Sequence, residues 1–179
     1  YDDAGNTLIA YNSEEAAYLE LKRHSKHDAD SMFRFQADLT RYARLIRKTL
    51  LRTPPDPTSF RRRDIHELLF LAKQFWSLGE KEIYEYVRFF TLSAVDFLED
   101  YFENELIKQS KASSGIIGTA LGVYSPGSSY ILLHHVMGDV DGSIGAWGLA
   151  RGGMGAISTA IASAFQSFGG EIKTNAGVS

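Results

Sequence analysis

Glycine is spread so unevenly along this 179-residue chain that it divides the sequence into two regimes. Only Gly5 and Gly79 precede residue 115. Gly115, Gly118, Gly122, Gly127, Gly138, Gly142, Gly145, Gly148, Gly152, Gly153 and Gly155 then crowd together. Glycine inside a helix or strand loses more backbone freedom on folding than any other residue, so a run this dense serves turns and close backbone approach. The part before Ala112 is free to run as helix. The fold class that follows is α+β, predominantly helical, with a few β-strands at the ends.

Helical spacing carries the first regime. Asn12 and Glu15 form a capping-box pattern opening a helix that weakens around His24-Ser25-Lys26-His27. Over residues 28–51 the apolar Met32, Phe35, Leu39, Tyr42, Ala43, Ile46 and Leu50 recur at helical spacing, with Arg34, Asp38, Arg41, Arg44 and Lys48 largely between them. Thr53-Pro54-Pro55-Asp56-Pro57 must break that helix, and Arg61-Arg62-Arg63 reads as part of the same exposed loop. Asp64 and Glu67 form a second capping-box pattern ahead of Leu68, Leu69, Phe75 and Trp76, with Gly79 placed as the stop. A helix follows over 81–90, and Ser93 caps another that continues past Leu106. Residues 127–137 suit a short buried helix after Ser125-Pro126, and 156–168 an Ala-rich helix ending at Gly169-Gly170.

Residues 7–11 and 171–179 are β-prone. The first residue is not Met, and the closing strand stops before anything caps or pairs it, so the chain reads as an interior piece of a longer protein.

Composition excludes several function classes. With 44% apolar and 12% aromatic residues the chain can build a core. A net charge of −3 offers no basic face for phosphates, which argues against a nucleic-acid partner. The absence of cysteine removes disulfides, thiolate metal sites and a cysteine nucleophile. No apolar run approaches the roughly 20 residues that span a bilayer, and no signal segment is seen, so a cytoplasmic location is the default.

The richest string for chemistry is Gly145-Ala146-Trp147-Gly148-Leu149-Ala150-Arg151-Gly152-Gly153-Met154-Gly155-Ala156-Ile157. Glycines just ahead of a helix let backbone N–H groups come close to a flat or charged ligand. Tight packing of a turn against a neighbouring element would ask for the same residues. A dinucleotide fingerprint fits poorly, because Gly153-Met154-Gly155-Ala156-Ile157-Ser158 is G-x-G-x-x-S and the stretch before it is too short and too glycine-rich for a buried parallel strand. His134 and His135 point about 100° apart on a helix, so at most one faces any given site, and either also suits a buried, hydrogen-bonded role. His24 and His27 share a helix face but lack a third ligand, so no metal site is expected.

Taken together, Tyr124-Ser125-Pro126-Gly127-Ser128-Ser129-Tyr130-Ile131-Leu132-Leu133-His134-His135-Val136-Met137-Gly138, then Gly145-Ala146-Trp147-Gly148, then Arg151-Gly152-Gly153-Met154-Gly155-Ala156 resemble the middle of phytoene dehydrogenase-like FAD-dependent oxidoreductases. The likeness is to a branch other than the carotenoid desaturases, and its strong part covers about residues 112–179.

The resemblance implies the substrate-side, central domain of a two-domain FAD oxidoreductase. Residues 1–150 would form the helical substrate-side domain. Residues 151–179 would be the Gly-rich turn, helix and strand leading back to an FAD-binding domain that this chain lacks. FAD would belong to the full-length protein, with none bound to this fragment and no activity expected from it alone. Arg151, Gly152, Gly153 and Gly155 would face the cofactor, and His134, His135, Trp147 and Met154 would wall a cavity for an apolar, lipid- or polyene-like small molecule. No residue is given a bond-making role, since flavin chemistry resides in the cofactor. Self-association is expected if apolar surface is left bare. An independent helical protein-interaction module, with the Gly-rich tail docking on a partner, is the alternative.

Overall fold

The computed structural model describes residues 3–11, 13–140, 142–144 and 147–177, in two compact units, Tyr1–Gly145 and Ala146–Ser179.

The first unit opens with α1 (Glu14–His24) and α2 (Lys26–Arg47). Ser13 caps α1, its hydroxyl accepting from Ala16 N at 3.4 Å; the expected cap, Asn12, lies outside the described residues. The weak stretch between the helices is a double cap. The N–H of Ser25 closes α1 on Leu21 O at 2.9 Å, while its hydroxyl opens α2 by accepting from Asp28 N at 3.1 Å. The α2 face read from the sequence is buried at Met32, Phe35, Leu39, Tyr42 and Ala43, whereas Leu50 lies beyond the helix end and is exposed.

Several local signals give way to tertiary partners. Arg62 and Arg63 belong to α3 (Arg62–Trp76) and not to the proline loop. Asp64 does not cap this helix. It is buried in the first turn and accepts from Asp56 N at 3.4 Å and Arg63 Nη2 at 3.0 Å. Glu67 holds Arg52 in a fork at 2.6 and 2.9 Å, so both carboxylates of the supposed capping box tie the proline loop to α3. Gly79 starts α4 (Glu80–Thr91) instead of stopping α3, which ends at Trp76. Its N–H donates to Glu82 at 3.4 Å.

Ser93 caps α5 (Ala94–Glu99) as expected, accepting from Asp96 N at 3.1 Å. The helix does not continue past Leu106 from there. Asn104 caps a new one, α6 (Glu105–Ala112), and a 3-10 turn (Ser113–Ile116) leads on. Gly115 in that turn is required by close approach, because a Cβ there would stand 2.9 Å from Ala94 Cβ.

The helix expected over 127–137 shortens to α7 (Ser129–His134), whose start is fixed to the end of α4. Ser128 Oγ accepts from Ala94 N at 2.8 Å and donates to Val123 O at 3.2 Å. Ser129 Oγ donates to Phe89 O and Leu92 O, and Gly127 N donates to Leu92 O at 2.8 Å.

The β content departs from expectation. Residues 7–11 form no ladder; they dock on α1 through Ile9 N to Glu20 Oε1 at 3.1 Å and a Thr7 O to His24 Nε2 contact at 3.0 Å. Residues 171–177 form no strand either, having no ladder partner among the described residues, and 178–179 lie outside them. Instead β1 (Asp139–Val140) and β2 (Ser143–Ile144) pair antiparallel, with Asp139 opposite Ile144. The sequence pair Asp141-Gly142 between them is a hairpin signal.

Aromatic side chains from α2, α4, α5 and the stretch just after α5 fill the core. Tyr42 stacks on Phe89 with centroids 4.4 Å apart, Phe97 meets Phe89 edge-on at 4.9 Å, and Phe35 meets Phe102 at 5.1 Å. Each fully buried ring contributes about 1.5–3 kcal/mol.

In the second unit, Gly152 (φ +89°) and Gly153 (φ +79°) make a turn that opens α8 (Met154–Ser167), and Gly169 (φ +85°) ends it. No residue of α8 is buried.

Candidate functional site

A cavity of the first unit measures about 370 Å³, within the range of small-molecule sites. α2 supplies one helical face of it through Met32, Phe35, Gln36, Leu39 and Thr40, spaced at i, i+3, i+4, i+7 and i+8. α7 supplies Leu132, and His135 and Val136, just past its C-terminal end, continue the same wall. Lys111, in the last turn of α6, and Ser114, in the 3-10 turn, complete the lining. The serine latch at Gly127-Ser128-Ser129 fixes where α7 begins, and so fixes this wall.

A second hollow of about 200 Å³ shares Met32, Gln36 and Lys111 with the first, and adds Leu8, Ile9 and Leu21. Lys111 therefore stands where the two hollows meet. Burial alone pulls its ammonium below the usual lysine range. Among the described residues no hydrogen-bond acceptor or carboxylate pairs with it. This residue was missed by sequence reasoning, since a lysine in the last turn of a helix is an ordinary complement to the helix dipole.

The structure separates the two adjacent histidines. His135 lines the cavity, whereas His134 is exposed and meets the Tyr130 ring edge-on at 4.8 Å. Trp147, Arg151, Gly152, Gly153, Met154 and Gly155 all belong to the second unit. There Trp147 and Met154 are exposed, and Gly153 N donates to Ala150 O at 3.0 Å within the turn. Residues 147–150 adopt no strand, so G-x-G-x-x-S lacks the strand–turn–helix context of a dinucleotide fingerprint.

His24 and His27 do not converge. The latter sits 3.0 Å from Asp28 Oδ1, and Glu103 joins them in a group compact enough to suggest a cation. The oxygens of Asp28 are already engaged, however, by Glu103 N and Asn104 N at 2.9 Å each, and Glu103 Oε1 accepts from Ser25 Oγ at 2.8 Å. The group is a clamp between α2 and α6. No helix among the described residues is long and apolar enough to cross a membrane.

No protein-family model matches the chain, and no solved structure matches it. Among curated proteins it is similar to pyridine nucleotide-disulfide oxidoreductase domain-containing protein 2 of Mus musculus, at 35% identity over 162 residues. The protein of the same name from Rattus norvegicus is 33% identical over 162 residues. In each case 87% of this chain is matched and only 28% of the relative's length is spanned. The similarity is therefore to one segment, somewhat over a quarter, of proteins named for an oxidoreductase domain.

Proposed function

We propose that this chain is the substrate-side, central part of a phytoene dehydrogenase-like, FAD-dependent oxidoreductase acting on an apolar small molecule. The single observation that carries the reading is similarity across 87% of the chain to a segment of an oxidoreductase-domain protein. Two features of the fold support it. The serine latch belongs to the string that resembles flavoproteins, and it fixes a wall of a cavity with both apolar and polar lining. The second unit consists of a glycine turn and an apolar helix with no buried residue, as expected of a piece that packs against further polypeptide.

The chain by itself does not fit FAD. The described residues contain no βαβ unit to receive the pyrophosphate, and the glycine turn follows no strand. The protein's contribution here is to bind and orient substrate and exclude water, with residues 1–150 as the substrate-side domain and 151–179 leading toward the cofactor domain. Arg151, Gly152, Gly153 and Gly155 would face the flavin in that assembly.

The test is spectroscopic. The purified 179-residue chain should stay colourless after incubation with FAD, whereas the full-length gene product should carry a flavin spectrum. Tight, stoichiometric flavin uptake by the chain alone would overturn this assignment of parts. The rival reading, a helical protein-interaction module, draws on the bare apolar face of α8. It is favoured if the upstream reading frame lacks a strand followed by G-x-G-x-x-G.

A further inference from the structure

We infer that the cavity between α2, α6 and α7 binds a single-chain amphiphile with a monoanionic carboxylate head, the head held by Lys111 and the tail laid along α2 and α7. This rests on, and narrows, the reading of the chain as the substrate side of an oxidoreductase for apolar molecules.

Two observations fix the chemistry. First, the larger hollow is floored by Phe35, Leu39 and Leu132, each nearly or fully buried, with Met32 and Val136 beside them. These suit an alkyl chain, and each buried methylene contributes about 0.8 kcal/mol. Second, a cavity meant for a purely apolar occupant has no use for an ammonium. Lys111 lines both hollows and has no carboxylate partner among the described residues, although the other lysine of α6, Lys108, is paired with Glu105 at 2.6 Å and Glu99 at 3.7 Å. Leaving one charge half-desolvated and unpaired costs stability, and a ligand of opposite charge offsets that cost on binding. A single ammonium matches a single negative charge, which favours a carboxylate over a doubly charged phosphate head. Gln36 and Ser114 line the same hollow and offer neutral donors to the second carboxylate oxygen.

Titration calorimetry of the 179-residue chain with dodecanoate and with dodecanol tests the inference, since the two probes share a tail and differ in the head. Dodecanoate should bind about 10- to 100-fold more tightly than dodecanol, the span expected of one charge-assisted hydrogen bond in a partly desolvated site. Lys111→Met should abolish that preference while leaving dodecanol binding unchanged, and Lys111→Arg should retain it. Thr40→Trp, which fills the cavity from its rim, should weaken both probes. Equal affinities in the wild-type chain, absence of binding, or a preference that survives Lys111→Met would each overturn the inference. If Lys111→Met fails to fold, loss of the preference in Lys111→Arg decides against it equally. The assay contains no flavin, so failure here leaves the flavoprotein reading standing. A full-length protein without flavin that still prefers dodecanoate would instead remove that reading and leave this one.

Discussion

Asp28 is fully buried, yet it is ionised, because every direction its carboxylate faces supplies a donor. Burial pushes its pKa up. The N–H of Glu103, the ring of His27 and the N–H of Asn104 outweigh burial and hold the group below the usual carboxylate range. A depressed folded-state pKa contributes stability that is present above the unfolded value of about 4 and is lost as pH falls toward the folded value. Asp28→Asn leaves one acceptor for two backbone donors and turns an NH2 group toward the other. It should destabilise the protein by about 1–3 kcal/mol at neutral pH. Urea midpoints at about pH 7 and about pH 3 check this: the gap between wild type and variant should narrow in acid, where the wild-type carboxylate loses its advantage. A gap of constant width would assign Asp28 a purely steric role.

At the scale of elements, the joint between α4, α5 and α7 shows how a sequence signature can be structural. Ser128 is fully buried and serves Ala94 N and Val123 O at once, so Ser128→Ala leaves a buried N–H and a carbonyl unpaired together. The expected cost is about 1–3 kcal/mol, read from urea unfolding, with a loss of dodecanoate affinity because α7 and the residues just after it place Leu132, His135 and Val136 in the cavity wall. Unchanged stability would show that water replaces the hydroxyl.

How well each element could be read from the sequence follows from where its partners lie. The face of α2 repeats over six turns, and Ser93 finds its partner three residues away at Asp96, so both were legible. The break between α5 and α6 was not, because the groups that satisfy it sit on Asp28, some 75 residues earlier. Asp64 and Glu67 carry a capping pattern but pair with the proline loop, and residues 7–11 carry a strand pattern but dock on Glu20 and His24. For the candidate site, His135 was visible as a residue type. Lys111 was not, since its meaning comes from being the lysine of α6 that no carboxylate among the described residues reaches.

At the scale of the whole molecule, α8 is hydrophobic without being covered. Ile157, Ile161, Phe165 and Phe168 recur at i, i+4, i+8 and i+11, which makes a stripe along one side, and all four are exposed. Helices stay folded in water mainly by burying such a stripe, and a single helix of fourteen residues gains little from propensity alone. In the full-length protein the proposed cofactor domain would cover it; in the isolated chain the same stripe on a second copy is a matching apolar surface. The chain alone should therefore associate with rising concentration in sedimentation velocity. Ile161→Glu combined with Phe165→Glu should return it to monomer without loss of the aromatic core's near-ultraviolet signal, because neither residue contributes to that core. Association that persists in the double variant would move the contact elsewhere, to the exposed α3 residues Leu69 and Trp76 before any other. A wild-type chain that stays monomeric throughout would show that α8 needs no cover, and would remove the bare stripe as support for a missing domain.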